Sequence, residues 1–499
     1  MNRKSAILLL ALSFGLTNSP LHAKTALDYL QSAPKPKFRA GHTLPPLTRW
    51  GWSMPFDVRV ELTENWGYAL EFGGYATADY VSKLEDPDSV ESRICALTAS
   101  DPDRYPLSVL LHRPCSDAEF QEGLPDETWC RDDDGQLIDD KKIWSPEAPD
   151  EVFQKAGKIG ADPLRKIREK APIAIILNGG EYGLNVFGWN GKFLERDPRV
   201  VEAKGDSSWL DYISERKERH ELPIIDAARK AVPDRNLYIY YHTFAVHRNQ
   251  YDSWWHWTYD YKNLRKITDL PSSSIYYKHF NSGWTGDVDM LTQALNSVAQ
   301  QLKFGDNLSY NWMNAGWTRD EMGDEAFGDL ERYVGYLKCY YAAGMIGGVA
   351  GYFAYPKGGF EGDLGDSPPP WLSQMMVLAR VHAMFSHLED FLRNGKLLPG
   401  PDRHRWSQDL PAYEFPTGDR DARVLVRRHN SLQEWLIVAW AAGGEDREVT
   451  VTVPELGQVN VMARSCGSVY RARIEDGKPV LTLFDKDGML PTKGIGNRE

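Results

Sequence analysis

The feature that most constrains the fold is an alternation of short apolar runs with longer stretches of helical spacing. The most apolar run is Pro172–Leu177, which reads Pro-Ile-Ala-Ile-Ile-Leu. Such alternation is typical of β-α units around a parallel sheet. Eight units are the number that a closed (β/α)8 TIM barrel requires, and we count eight runs: Leu47–Trp52, Tyr75–Val81, Tyr105–His112, Pro172–Leu177, Asn236–Thr243, Ser274–Phe280, Asn307–Met313 and Gly348–Tyr355.

The stretches between these runs predict the helices of the barrel. Helical sequence follows the first run from Asp57 to Phe72, and a polar insertion from Arg113 to Pro149 separates the third run from its helix. No G-x-G-x-x-G motif follows the first run, which disfavours a dinucleotide-binding fold.

The sequence pattern changes near Leu397. Pro399, Gly400 and Pro401 read as a linker, and six short alternating runs beyond residue 422 predict a small antiparallel β-sandwich. We therefore divide the chain into a signal peptide (1–23), an irregular lead-in (24–43), a catalytic barrel (44–396) and a C-terminal β-sandwich (397–499).

The first residues have the layout of a secretory signal peptide. Arg3 and Lys4 are followed by the apolar run Ala6–Leu16 and by a small residue, Ala23, at a suitable cleavage point. We expect a secreted or periplasmic protein, with a membrane anchor as the alternative. No later segment approaches the roughly 20 apolar residues of a membrane helix.

Charge and cysteine content narrow the class of partners and cofactors. The formal net charge is -12, which disfavours a nucleic-acid partner. In an oxidising compartment, Cys115 and Cys130 are the best disulfide candidates, whereas Cys95, Cys339 and Cys466 are expected to be buried thiols. There is no spaced Cys/His cluster, so we expect no structural zinc and no cofactor. The oligomeric state is not indicated.

Aromatic residues are unusually clustered. The chain has 17 Trp and 24 Tyr, with dense groups at Trp50–Trp52, Trp254–Trp257 and Trp312–Trp317. A flat ring beside hydrogen-bonding groups suits the stacking of a sugar. The alternative is a large core that simply contains much tryptophan. We favour a polysaccharide or oligosaccharide as the substrate.

The active site of such a barrel lies at the C-terminal ends of its strands. Glu181 follows the most apolar run, beside Gly179 and Gly180, within Asn178–Gly183. A carboxyl near the low-dielectric mouth of a barrel is expected to have a raised pKa, as a general acid for a glycosidic oxygen needs. The alternative is a structural glutamate that accepts hydrogen bonds from loop amides.

This arrangement resembles secreted barrel-type polysaccharide hydrolases of the agarase, porphyranase and carrageenase kind. The resemblance covers residues 44–490 in architecture and rests on Asn178–Gly183 in motif. It implies that Glu181 is the acid/base of a glycoside hydrolase, acting on a sulfated galactan among other choices. It also implies a nucleophile at the end of the seventh strand, where this sequence has no carboxyl. The candidates for the second carboxyl are Asp287, Glu321, Glu325 and Glu361.

Polar and aromatic residues after the other runs are the candidates for substrate binding. Three histidines among them could instead ligate a metal, and Arg248, Lys278 and Lys357 could pair with an anionic sugar. A non-catalytic sugar-binding protein and a metal-dependent hydrolase or lyase are therefore alternatives. The predicted substrate-binding residues are Trp52, His242, His247, His279, Trp284, Trp312, Asn314, Trp317 and Tyr355.

Overall fold

A computed structural model describes most of the chain after residue 23. The described ranges are 24–50, 54–179, 191–241, 243–244, 258–273, 290–313, 330–351, 360–404 and 409–484. The predicted signal peptide (1–23) and the predicted sixth strand (274–280) lie outside them.

Parallel strands dominate the first 351 residues. Four of them form one sheet in the order β2-β3-β4-β5, three form another in the order β1-β9-β8, and β6 pairs with β7. The strands are β1 (Thr48–Trp50), β2 (Leu70–Tyr75), β3 (Leu107–Leu110), β4 (Ile173–Asn178), β5 (Leu237–Tyr240), β6 (Thr243–Phe244), β7 (Thr258–Tyr259), β8 (Ser309–Met313) and β9 (Met345–Gly351).

Backbone hydrogen bonds join the two larger sheets into a closed ring. Between β1 and β2, the amide of Ala69 donates to the carbonyl of Leu47 at 2.6 Å. Between β5 and β8, the gap is filled by the extended segment 268–273. The amide of Asp269 donates to a β5 carbonyl at 2.9 Å, and the amide of Trp312 donates to a carbonyl of the same segment at 3.0 Å. The predicted barrel is therefore confirmed, with residues 268–273 beginning the sixth position.

Helices surround this ring. Among the described residues, no helix is long and apolar enough to cross a membrane. The α-helices are α1 (Ala26–Ser32), α2 (Phe56–Trp66), α3 (Ala78–Ser82), α4 (Val90–Ser100), α5 (Ala118–Glu122), α6 (Asp150–Arg168), α7 (Gly191–Leu194), α8 (Pro198–Lys204), α9 (Trp209–Ala231), α10 (Tyr261–Leu264), α11 (Met290–Leu302), α12 (Leu330–Ala342), α13 (Pro370–Ser386) and α14 (Glu389–Asn394).

Two glycines allow the long helix α6 to pack closely. A Cβ at Gly157 would lie 2.7 Å from the carbonyl oxygen of Pro223 in α9. A Cβ at Gly160 would lie 2.6 Å from the carbonyl oxygen of His112, just after β3. Because real Cβ atoms do not approach oxygen so closely, these positions bring α6 against both its neighbouring helix and the barrel wall.

The barrel interior is filled by side chains and is not a pore. Inward-facing residues from five positions around the ring form one buried apolar cluster, as expected for this fold. Its members are Leu110, Ile175, Leu177, Ile239, Tyr241, Tyr310, Trp312 and Val349, with Trp50, Ala174, Leu237 and Leu270 partly buried against them.

Antiparallel strands form the C-terminal part, as predicted. One sheet has the order β10-β11-β12-β15-β16, and β13 pairs with β14 in a second sheet. A shared apolar core of Val, Ile, Ala and Trp side chains from both sheets lies between them. The strands are β10 (Gly395–Leu397), β11 (Ala422–His429), β12 (Glu434–Ala441), β13 (Arg447–Val453), β14 (Gly457–Ala463), β15 (Ser468–Glu475) and β16 (Lys478–Leu483).

The structure corrects the prediction for the second strand. The helix predicted to run to Phe72 ends at Trp66, because Gly67 adopts a left-handed conformation (φ 74°) that terminates it. The second strand is therefore Leu70–Tyr75, not Tyr75–Val81. Residues 78–82 form a helix instead, capped by the side chain of Thr77.

The lead-in (24–43) also departs from its prediction as an irregular segment. Helix α1 begins after Thr25, whose side chain forms a reciprocal capping box with Asp28. Ala26 and Leu30 of this helix are fully buried in the same apolar cluster as α13. The lead-in is thus packed onto the barrel helices.

The predicted disulfide is not formed. Cys115 and Cys130 are both buried as free thiols. The Cys130 thiol donates to the carbonyl of Trp144 at 3.4 Å, within the polar insertion. Burial raises the pKa of Cys115 to about 12, so its thiol is inert at neutral pH. The remaining cysteines fit the prediction in part, since Cys95 and Cys339 are buried and Cys466 is half-buried.

A single buried arginine joins the C-terminal sheet to the barrel. Arg427 of β11 is fully buried and donates to the carbonyls of Ala342, at the end of α12, and of Phe391 and Leu392 in α14. It also donates to the side-chain oxygen of Asn307 at 3.0 Å. A cation suits the negative end of a helix dipole. Burial lowers the pKa of Arg427 to about 9, so the side chain stays protonated at neutral pH.

Replacing this arginine should destabilise the protein strongly. In Arg427→Met, several buried oxygens lose their donors, and we expect a loss of about 3–5 kcal/mol in the free energy of unfolding. Arg428→Met is the matched control, because the neighbouring Arg428 is partly exposed, pairs with the exposed Glu455 and lies 6.0 Å from the Trp435 ring, and exposed ion pairs contribute about 1 kcal/mol or less. Urea denaturation measures both. Equal losses would show that Arg427 does not join the C-terminal sheet to the barrel.

Four histidines are held neutral by burial. Burial lowers the pKa of His382 to about 3, and it lowers the pKa of His42, His220 and His404 below the ordinary value of 6.5. The Nδ1 atom of His382 forms a hydrogen bond with the hydroxyl of Tyr341 at 2.9 Å. Below pH 6.5 the unfolded chain binds protons that the folded chain does not bind at these positions.

Stability should therefore fall as the pH falls below 6.5. Each of these histidines contributes up to about 1.4 kcal/mol per pH unit until its folded pKa is reached. We expect the free energy of unfolding to drop steeply between pH 6.5 and pH 5, as measured by urea denaturation across that range. His382→Asn should reduce the slope of the free energy of unfolding against pH by the contribution of one histidine. A flat profile over this range would contradict the assignment of neutral, buried histidines.

Candidate functional site

Strand register places three residues in one row at the C-terminal edge of the barrel. Leu110 pairs with Leu177, so His112 falls beside Gly179 when each strand is continued by two residues. On the other side, the amide of Tyr241 donates to the carbonyl of Asn178 at 2.8 Å, which places Tyr241 beside Gly179 as well. Neighbouring strands lie about 4.8 Å apart, so these three residues form a continuous row.

An aromatic cluster lies against this row. The rings of Trp50 and Trp312 meet edge to face with centroids 4.6 Å apart, and the Tyr241 ring lies 4.8 Å from Trp312. Such pairs add about 0.5–1.5 kcal/mol beyond their burial. Trp312 is fully buried, whereas Trp50 is only partly buried. Trp312 therefore forms the floor of the mouth, and Trp50 forms part of its wall.

Gly179 lies between two aromatic residues of this wall. A Cβ built at Gly179 would lie 3.6 Å from the Trp50 ring and 3.6 Å from the hydroxyl of Tyr75. These are ordinary contact distances, so a methyl group would fill the space between the two aromatic residues. Tyr75, at the end of β2, is 37% exposed and presents its ring to solvent.

Asn178 contributes to packing and not to this space. It is fully buried, and its side-chain amide donates to the hydroxyl of Tyr238 at 2.7 Å. Tyr238 belongs to the apolar cluster between the sheet and its helices. The first residue of the Asn178–Gly183 motif therefore fixes the end of β4 from behind.

A histidine–aspartate pair lies at the end of β3. The Nε2 atom of His112 is 3.0 Å from a carboxylate oxygen of Asp117, and the two side chains are 16% and 43% exposed. Sequence reasoning missed both residues. His112 ends the third apolar run, Tyr105–His112. The expectation that polar residues at the ends of these runs line the mouth therefore applies to it as well.

A buried charge cluster lies directly behind this pair. Arg113 and Lys217 both contact one carboxylate oxygen of Glu221, at 2.6 and 3.1 Å, and the hydroxyl of Tyr240 donates to the same oxygen at 3.2 Å. All of these side chains are buried. Burial lowers the pKa of Lys217 to about 8, and the nearby Glu221 carboxylate limits this fall. Most Lys217 side chains are therefore protonated at neutral pH. Two cations against one carboxylate leave a surplus of positive charge behind β3.

Most of the predicted site residues fall outside the described ranges. Of those described, Trp312 lies in the aromatic cluster. Glu361 is exposed, and the carbonyl of the adjacent Phe360 accepts a hydrogen bond from the amide of Ala26 in α1. Outside the described ranges lie Glu181, Asp287, Glu321, Glu325, Trp52, His242, His247, His279, Trp284, Asn314, Trp317 and Tyr355.

The described part of the chain holds no group of three or more His, Cys, Asp or Glu that could bind a metal ion. The three histidines that could form a metal site lie outside this part.

Comparisons with known proteins add glycoside hydrolases as structural neighbours. No family model matches the chain, and no curated protein matches it. A GH30 endoxylanase from Clostridium papyrosolvens C71 has 9% identity and a TM-score of 0.37, over 87% of this chain and 98% of its own. An alpha-amylase from Geobacillus thermoleovorans, complexed with acarbose, has 10% identity and a TM-score of 0.39, over 87% of each chain. An alpha-amylase from Lactobacillus plantarum has 10% identity and a TM-score of 0.36, over 88% of this chain and 89% of its own.

Similarity at this level is too low to carry an argument about activity. The barrel itself rests on the hydrogen bonds that close it, and the function must be argued from the residues at its mouth.

A side chain larger than a methyl group at Gly179 should displace an aromatic ring of the wall. In Gly179→Leu, the atoms beyond the Cβ meet Trp50 and Tyr75, and we expect a loss of about 1–3 kcal/mol in the free energy of unfolding. Gly179→Ala is the matched control, since its Cβ makes only ordinary contacts at 3.6 Å. Urea denaturation measures both variants. Equal stability of the two would show that the rings do not close on this position.

Proposed function

We propose that this protein is a glycoside hydrolase and that Glu181 is its proton donor. The observation that carries the proposal is the row of His112, Gly179 and Tyr241, walled by Trp50 and Tyr75. Ile175, Leu177 and Gly179 face the same side of β4, and Glu181 is the next residue in that two-residue period. A carboxyl at that point would meet the glycosidic bond of a sugar stacked on the aromatic wall.

The second carboxyl is proposed to be Asp287 or Glu321. Glu325 is the third candidate, and Glu361, the fourth, is exposed beside α1. In glycosidases, carboxyl groups about 5–5.5 Å apart act by a covalent intermediate, and groups about 6.5–9.5 Å apart activate a water directly. The proposed chemistry is protonation of the leaving oxygen by Glu181 and attack or water activation by the second group.

The finer proposal is an anionic galactan substrate and an exported protein. Arg113 and Lys217 together carry more positive charge than Glu221 neutralises. This surplus supports an anionic sugar, because Arg113 directly follows His112 in the chain. The layout of residues 1–23 supports export to the periplasm or the medium. The sulfated galactans porphyran and κ-carrageenan are therefore the first substrates to test, with agarose as the neutral galactan. Xylan and starch are included because the neighbouring structures are a xylanase and amylases.

Removing the proposed proton donor should abolish most turnover. In Glu181→Gln, the amide cannot protonate the leaving group, and we expect kcat to fall by about 10²–10⁴-fold on whichever polysaccharide the wild type degrades. Thermal unfolding should be unchanged. Release of reducing ends measures the activity.

The matched control is Glu195→Gln, an exposed carboxyl in the same connection between β4 and α8. It should retain wild-type activity. Near-normal turnover by Glu181→Gln would remove Glu181 from the mechanism.

A non-catalytic sugar-binding protein is the second candidate. One observation favours it: β8 presents Tyr310 and Trp312 to the barrel interior, and the described part of this strand contains no carboxylate. Binding of an oligosaccharide without release of reducing ends from any of the five polysaccharides would support it.

A further inference from the structure

His112 occupies a position in the row at the barrel mouth that packing alone does not require. Leu110 faces the barrel interior and Leu111 faces the helix layer, so the alternation along the chain returns His112 to the side of Leu110. The register with β4 places it beside Gly179. Its imidazole is only partly buried, with 16% of the side chain exposed.

The two ring nitrogens of His112 have different surroundings. The Nε2 atom lies 3.0 Å from a carboxylate oxygen of Asp117. Among the described residues no other polar contact of the ring is found, so the Nδ1 atom can meet a hydroxyl group of a bound molecule, which can donate or accept a hydrogen bond.

The backbone next to His112 is anchored from behind. Arg113 turns to the opposite side of the chain and contacts Glu221, which also contacts Lys217 within the buried layer. Gly160 of α6 allows the helix to approach the carbonyl of His112 itself. The ring is thus held by a rigid backbone on one side and by a carboxylate on the other, as a preorganised binding group should be.

We propose that His112 binds substrate directly, through a hydrogen bond between its Nδ1 atom and a sugar hydroxyl, and that Asp117 is a positioning residue that orients the ring. This inference rests on the proposed function, because it assigns a sugar-binding role to a residue of the same site. It adds a polar contact to a mouth whose other described members are aromatic rings and a glycine.

The test compares five variants by binding, by activity and by thermal unfolding. Dissociation constants are measured by calorimetry with neoagarohexaose, a κ-carrageenan hexasaccharide, xylohexaose and maltohexaose, and kcat and KM are measured on any of these that the wild type cleaves. His112→Ala should weaken binding about tenfold with kcat within about twofold. His112→Asn, whose side-chain oxygen can occupy the place of Nδ1, should recover part of the loss.

Asp117 is tested through its dependence on His112. Asp117→Ala alone should weaken binding about threefold, and His112→Ala with Asp117→Ala should bind no more weakly than His112→Ala alone. Glu119→Gln, an exposed carboxyl on the short helix α5 just beyond Asp117, is the matched control and should bind as the wild type does. Thermal unfolding of each variant excludes loss of the fold as the cause.

The outcomes separate this inference from the function on which it rests. If the wild type binds a hexasaccharide and His112→Ala binds it equally well, the role of His112 is refuted while the hydrolase proposal stands. Additive losses in the double variant would refute the role of Asp117 as an orienting group. Binding without cleavage would refute hydrolysis but leave the binding test intact. Failure of the wild type to bind or cleave any of the four would overturn both.

Discussion

The site depends on the closure of the barrel through residues 268–273. The amides of Tyr310 and Trp312 donate to carbonyls of this segment, and the amide of Asp269 donates to β5. Without these bonds, β8, β9 and β1 would form one sheet and β2 to β5 another, joined along a single edge. Closure brings Trp50 and Trp312 opposite the end of β4, so that the aromatic wall faces Gly179. The mouth is therefore a product of the ring and not of any one strand.

Buried cations fix the ends of the elements that meet at this ring. Arg49 contacts the Glu71 carboxylate at 2.9 Å, and Arg59 of α2 donates to the backbone carbonyl of Glu71 at 2.8 Å. Arg113 contacts Glu221 in the same way behind β3. Each cation contacts an oxygen of a different element, so moving one element relative to the other would leave a buried charge unpaired, which is costly. The ends of β1, β2 and β3 are thereby held where their side chains reach the mouth.

The barrel could be predicted because its signal is repeated. Each apolar run needs only to be recognised as a strand, and the count of eight then selects the closed ring. The prediction for the second strand is wrong because one residue, Gly67, ends the preceding helix early, and a helical pattern does not reveal a left-handed residue in advance. The disulfide prediction is wrong for a similar reason. The short sequence separation between Cys115 and Cys130 does not show whether the two sulfur atoms meet or are each buried among other side chains.

The site was harder to predict than the fold, because it is set by register between strands. The sequence identifies the residues after β4, but only the pairing of Leu110 with Leu177 shows that His112 stands beside Gly179. Register also bears on the second carboxyl. Tyr310 and Trp312 face inward on β8, and the next residue in that period is Asn314, so no carboxyl stands in phase at the end of this strand. The second acid of the proposed hydrolase would therefore come from a connecting segment. Its separation from Glu181 decides the chemistry, because carboxyl groups about 5–5.5 Å apart act by a covalent intermediate and groups about 6.5–9.5 Å apart leave room for a water molecule that attacks directly.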